Sequence, residues 1–226
     1  MPIEYNGTPV GDVSVNGQAI DEITVNGDVV FSSVKIVDDF DANDLTSRWN
    51  TNGHLGTFNG FSTVTSPVQS GSHALKFGGN DGASLYLDAS QNQPTPQFGQ
   101  SQEFYMNPVN FENVYVMWLS DKQESAFNVP RGHWVKTQDS GLSYGMTGAD
   151  DLNASTDGAG IVPSGYIRCR IDYINSNNDM QLTLFDDNNS QFYQGSVPVV
   201  NQGFGSSCAL HSTDTGFSRI DSWKIL

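Results

Sequence analysis

Tyr166-Ile167-Arg168-Cys169-Arg170-Ile171-Asp172-Tyr173-Ile174, followed after a polar tip by Met180-Gln181-Leu182-Thr183-Leu184-Phe185, is the stretch that decides the fold class. Successive side chains of an extended chain point to opposite sides. In the first run, Ile167, Cys169, Ile171 and Tyr173 therefore share one face, and Arg168, Arg170 and Asp172 share the other. Leu182 and Leu184 oppose Thr183 and Phe185 in the same way. Such alternation marks strands with one buried and one wetter side. The tip, residues 175–179, is built from Asn, Ser and Asp, so the two runs read as a hairpin.

Working outward, the same texture repeats. Ala74–Phe77, Ser84–Leu87, Asn113–Leu119, His133–Thr137 and Arg219–Ile225 are further strand candidates, separated by Gly-, Asn-, Asp- and Pro-rich turns such as Asp186–Ser190. No stretch combines a capping residue with sustained 3.6-residue periodicity, so helix content is expected to be low. Many short strands in a chain of 226 residues predict an all-β sandwich. Two longer polar stretches, Asp88–Gly99 and Asp139–Pro163, read as loops, and long loops on β-scaffolds often carry function.

The first 33 residues read differently. Val13-Ser14-Val15-Asn16-Gly17 is nearly repeated as Ile23-Thr24-Val25-Asn26-Gly27, and another Asn-Gly sits at Asn6-Gly7. Asn and Gly tolerate the positive φ of a tight two-residue turn, so each copy predicts strand–turn–strand. Hairpins this short need partners to be stable. Residues 1–33 are accordingly expected to be an attachment module, with the sandwich running from 34 to 226.

Charge is lopsided, with 25 Asp+Glu against 10 Lys+Arg and a net charge of −15. A field of that sign repels nucleic acid and anionic membranes. No apolar run approaches ~20 residues, so no membrane insertion is expected. Scarce lysine with abundant aspartate points to a high-salt setting, in which salt screens self-repulsion. Divalent-cation binding and plain solubility are the competing readings. Met1-Pro2-Ile3-Glu4 lacks a basic and then apolar leader, so a cleaved secretory signal is not expected. Cys169 and Cys208 allow one bridge or two separate buried thiols.

Val37-Asp38-Asp39-Phe40-Asp41-Ala42-Asn43-Asp44-Leu45 with Arg48-Trp49 resembles the opening of laminin-G-like, concanavalin A-like jelly-roll domains. Ser70–Phe77 is similar to their second strand. Ile220-Asp221-Ser222-Trp223-Lys224-Ile225 resembles their closing strand, which pairs beside the opening one. The resemblance spans Val34 to Leu226 and implies a concanavalin A-like jelly-roll β-sandwich. The hairpin repeats resemble those at the ends of tailed-virus structural proteins. With the acidic composition, they imply a virion protein of a tailed virus infecting halophilic archaea, located on the particle surface. Its implied partners are other virion proteins and copies of itself, as trimer or pentamer.

The chemistry-bearing residues point to binding. Glycoside hydrolysis needs two carboxylates about 5–9 Å apart, but Glu4, Glu22, Glu103, Glu112 and Glu124 form no alternating acidic strand. The histidines are scattered, and no Gly-x-Ser-x-Gly elbow occurs. No catalysis is expected. Asp39-x-Asp41-x-Asn43-Asp44 spaces oxygens as a calcium loop does, yet Leu45 and Asn50 stand where the EF-hand pattern has Gly and a bidentate Glu. Similar folds imply another geometry, a structural Ca2+ held by Asp38 or Asp39 with Asp221. A hydrogen-bonded turn is the competing reading. For sugars, which offer both apolar faces and hydroxyls, the candidates are Arg131, His133, Trp134, Asp139 and Tyr144. Trp134 as ordinary core is the alternative, and Trp49 and Trp223 are expected in the core.

The expectation is a virion structural protein, a capsid decoration, turret or tail-associated spike. It docks through its hairpins and presents a lectin-like sandwich to a host glycan. An exported carbohydrate-binding module of a halophile is the rival.

Overall fold

The computed structural model describes residues 4–5, 8–9, 14–15, 18–19, 22–25, 28–32, 35–51, 61–78, 83–87, 100–108, 114–120, 132–138, 141–147, 154–157, 164–173, 179–198, 207–212 and 217–226. Three two-stranded hairpins come first. β1 (Glu4–Tyr5) pairs with β2 (Thr8–Pro9), β3 (Ser14–Val15) with β4 (Gln18–Ala19), and β5 (Glu22–Val25) with β6 (Asp28–Ser32). The registers Tyr5↔Thr8, Val15↔Gln18 and Val25↔Asp28 each leave only an Asn-Gly dipeptide between strands. That is the connection length for which Asn-Gly is the preferred sequence.

Fifteen strands follow: β7 (Lys35–Asp38), β8 (Asn50–Thr51), β9 (Phe61–Val64), β10 (Ala74–Gly78), β11 (Ala83–Leu87), β12 (Gln102–Pro108), β13 (Val114–Ser120), β14 (Gly132–Gln138), β15 (Gly141–Thr147), β16 (Ala154–Asp157), β17 (Ile167–Tyr173), β18 (Asp179–Phe185), β19 (Gln191–Pro198), β20 (Ser207–Ser212) and β21 (Phe217–Ile225). They form two antiparallel sheets. One has the order β19-β18-β17-β12-β21-β10-β9, with β7 joining β21 as its eighth strand. The other, of seven strands, has the order β16-β15-β14-β13-β20-β11-β8. No helix occurs among the described residues. The molecule is an all-β jelly-roll sandwich.

Each alternating run of the sequence becomes a strand with its apolar side inward. Ile167, Cys169 and Ile171 of β17 and Leu182 and Leu184 of β18 are buried in the core, as are Val116, Val135 and Leu210 from the facing sheet. The opening strand does pair beside the closing one, with Trp223↔Asp38 in register. Trp49 and Trp223 are core residues whose ring centroids lie 6.5 Å apart, with Phe40 stacked on Trp49 and Phe104 tilted against Trp223. Cys169 and Cys208 are two buried free thiols on different sheets.

One expectation is corrected. The stretch 139–163, read as a loop, contains β15 and β16. β15 is paired on both sides, with Val135↔Tyr144 toward β14 and Tyr144↔Thr156 toward β16. Its Gly and Ser residues hid it, because strand propensity depends on the pleated surface a segment packs against more than on its own composition. The stretch 88–99 lies outside the described residues.

Candidate functional site

The seven-stranded sheet has two unlike faces. Its inner face supplies Leu85, Leu87, Val114, Val116, Val135, Leu142, Tyr144, Cys208 and Leu210 to the main core. Alternation turns the intervening residues to the far side, where Tyr86, Tyr115, Trp134 and Ala209 form a second cluster. Tyr115 meets Trp134 edge-on at 5.8 Å and lies 5.9 Å from the His211 ring. The Lys136 ammonium sits 5.4 Å from the Tyr115 ring centre and 5.3 Å from that of Trp134, a double cation–π contact. Register explains the assembly: Tyr115 pairs with Lys136 on one side and with His211 on the other. The rings are recessed, with Trp134 4% exposed and Tyr115 7%. Burial pushes the His211 pKa down to about 4, so its imidazole is neutral near pH 7.

The predicted sugar-binding residues are not gathered on this face. His133 and Trp134 are adjacent in β14 and so face opposite ways. His133, fully buried, looks toward the core side with Val135 and Thr137, and burial lowers its pKa to about 4. Tyr144, in register with Val135, also points inward, where the Tyr193 hydroxyl donates to its hydroxyl at 3.4 Å. Only Trp134 lies in the outer cluster; Arg131 and Asp139 lie outside the described residues. Sequence reading missed Tyr115, Lys136 and His211. Their parity relative to Val116, Val135 and Leu210 was legible, but the register joining three non-consecutive strands was not.

Of the three predicted calcium ligands, Asp38 and Asp221 are engaged by several protein donors and Asp39 by one. The Asp38 carboxylate accepts from the Trp49 indole at 2.6 Å, the Phe40 amide at 2.7 Å and Arg48 at 3.3 Å. Burial nonetheless raises its pKa, against the lowering effect of Trp49 and Phe40. Asp39 is exposed and accepts from the Asp41 amide. Asp221 accepts from the amides of Gln69 (2.8 Å) and Ser70 (3.2 Å), and burial raises its pKa too. Asp41 receives the amides of Ser72 and His73, which lower its pKa, and Asp44 caps Thr46 and Ser47. The aspartate string that spaces like a calcium loop is a ladder of turns. Among the described residues no group of three or more His, Cys, Asp or Glu is placed to hold a metal ion.

No protein-family model and no curated protein matches the chain. Solved structures do. The conserved carbohydrate esterase vb_24B_21 of Shiga toxin-encoding bacteriophage phi24B superposes with a TM-score of 0.53 at 13% identity, over 85% of this chain and 95% of that one. The exoplasmic/lumenal domain of VIP36, solved with Ca2+ and Man2, gives 0.50 at 9% identity, over 79% and 80%. At these identities the likeness is one of fold. The chain has the concanavalin A-like, lectin-like sandwich.

Proposed function

We propose that this is a carbohydrate-binding structural protein of a virus particle. It docks through its N-terminal hairpins and presents the sandwich to a host-surface glycan without catalysing a reaction. The observation that carries the binding reading is the outer cluster of the seven-stranded sheet. There a neutral imidazole, an ammonium and three aromatic side chains converge on one face of a lectin-like fold. The rings pack on one another, so they serve as a rigid floor. Lys136, half-buried at the margin, and Ser143 beside it on β15 are the groups that would reach sugar hydroxyls. Among the described side chains of that face there is no pair of carboxylates, which favours binding over glycoside hydrolysis.

The virion part of the reading is supported by the row of Asn-Gly hairpins and by the fold shared with a bacteriophage protein. A high-salt habitat and a homo-oligomeric state, trimer or pentamer, belong to the same proposal and rest on the acidic composition and the hairpins. A bound structural Ca2+ is not part of it, because Asp38 and Asp221 already accept protein donors.

The test is a glycan array probed with the full chain and with Lys136→Met, which keeps the stem and removes the charge. Binding that drops about tenfold in the variant supports the reading, a loss on the scale of one charged hydrogen bond. No binding at all, or binding indifferent to the change, sinks it. Antibody labelling of purified particles tests the location.

A further inference from the structure

The outer face of the eight-stranded sheet runs against the charge of the whole chain. Leu75, Phe77, Phe104, Met106, Ile167, Cys169 and Ile171 are buried inward. The alternating residues Lys76, Arg168, Arg170, Arg219 and Lys224 therefore lie on the outer side, five of the ten cationic residues in a chain of net charge −15. Among the described side chains two carboxylates of this face pair with them, and a third is engaged elsewhere. Glu103 is shared by Arg168 at 3.3 Å and Lys224 at 2.9 Å, Asp172 holds Arg170 at 3.0 Å, and Asp221 is taken up by the Gln69 and Ser70 amides.

Arg219 is the anomaly. It stands directly across the sheet from Lys76, and like charges opposite one another oppose pairing. Its side chain makes no ion pair or hydrogen bond with the described residues, and its Nε, like that of Arg168, is buried without a partner. The half-buried Arg219 side chain thus carries a charge that no described carboxylate pairs with.

The cations are interleaved with groups of another kind. The Arg168 guanidinium lies 3.9 Å from the centre of the Phe185 ring, and Tyr105 is in register with Arg168. Beside them the exposed Gln194 donates to Gln181 at 3.2 Å and to the buried Thr183 hydroxyl at 3.4 Å, so two amides line the surface here. Arg170 is 43% exposed and Lys224 30%, so the face is open.

We propose that this face binds a saccharide that carries a carboxylate, a uronic or sialic type of acid. The guanidinium forks match the carboxylate, the amides match ring hydroxyls, and the aromatic rings match the sugar's C–H face. An acidic surface on a second copy would use the cations but not the amides or the rings, so the sugar is the better fit. The excess of negative charge elsewhere disfavours a dense polyanion. A saccharide with isolated acid groups feels mainly the local cations, within a Debye length of about 8 Å at physiological salt. This site stands apart from the Lys136 cluster and does not depend on it.

The experiment is calorimetric titration of the full chain with oligogalacturonate and sialyllactose, against oligogalactose and lactose as neutral counterparts, at low and high salt. Arg219→Gln and Arg170→Gln are the test variants, Lys136→Met is the control on the other sheet, and thermal melts verify that each is folded. We expect at least one acidic sugar to bind about tenfold tighter than its neutral counterpart, more weakly in salt, with the preference lost in either arginine variant and kept in Lys136→Met. No acidic preference overturns the proposal, as does a preference indifferent to both arginines. Self-association abolished by Arg219→Gln with no sugar bound also overturns it and assigns the face to a second copy. Neutral-glycan binding lost only in Lys136→Met leaves the reading of the seven-stranded sheet standing while this one fails.

Discussion

Gly71 and Asp41 show how one residue's geometry holds the opening turn. Gly71 has φ +61°, and a Cβ there would collide with the Asp41 carboxylate that binds the Ser72 and His73 amides. Gly71→Ala should therefore lower stability by about 2 kcal/mol, through backbone strain and loss of that bracket, read from the urea midpoint. Asp38→Ala strips acceptors from the buried Trp49 indole and the Phe40 amide and should cost about 3 kcal/mol. Wild-type stability in that variant would show that the turn ladder is decorative.

The histidines set a pH dependence. His133 and His211 titrate near 4 in the folded chain, against about 6.5 when unfolded. The unfolded chain thus binds more protons between those values. Their stabilising contribution is full above about pH 6.5 and is lost as pH falls toward 4, on the order of 3 kcal/mol each. Asp38 and Asp221, with raised pKa, act in the opposite sense: their part is present below the unfolded carboxylate value and is lost as pH rises through the folded one. Melting temperature should drop on acidification from pH 6.5 to 4, and His211→Gln should flatten the slope. An unchanged slope would mean that His211 is protonated in the folded state.

At the scale of elements, β21 is the keystone. It pairs with β12 and β10, and its C-terminal half also meets β7, whereas β9 and β19 are edges. Amide exchange should be slowest in 217–225 and 102–108 and fastest in 191–198, because local opening costs least at an edge. Equal protection across the sheet would contradict this order. Strands whose alternation is clean, β10, β11, β13, β14, β17, β18 and β21, were legible from the sequence. β15 and β16 were not, since Gly141, Ser143 and Gly145 contribute neither bulk nor branching, and only their neighbours on β14 make them strands. The same gap split the predicted sugar site. His133, Trp134 and Tyr144 are near in sequence, but the pleat and the Val135↔Tyr144 register send Trp134 to one side and the other two to the core.

For the whole molecule, a net charge of −15 makes self-repulsion a global term. Added salt screens it, so the melting temperature should rise between 0.1 and 2 M KCl, by several degrees if screening recovers about 1–2 kcal/mol. A flat or falling curve would argue against the high-salt reading. The hairpins are tested at the same scale. A chain beginning at Lys35 keeps every strand of both sheets and is expected to remain folded. If the hairpins are the assembly element, the full chain sediments as a discrete oligomer in high salt and the shortened one as a monomer; monomers from both would remove that role.

The sequence by itself determined the all-β class, the Asn-Gly hairpins, the burial of Trp49 and Trp223 and the lopsided charge, because these follow from local period, turn chemistry and composition. Only the tertiary structure decided which residues share a face. It brought Tyr115, Trp134, Lys136 and His211 together across three strands, closed Asp38 and Asp221 with donors from Trp49 and the Gln69–Ser70 amides, and gathered five of the ten cationic residues on the outer face of one sheet. Register between distant strands sets those neighbours, and a one-residue shift would send each side chain to the opposite face.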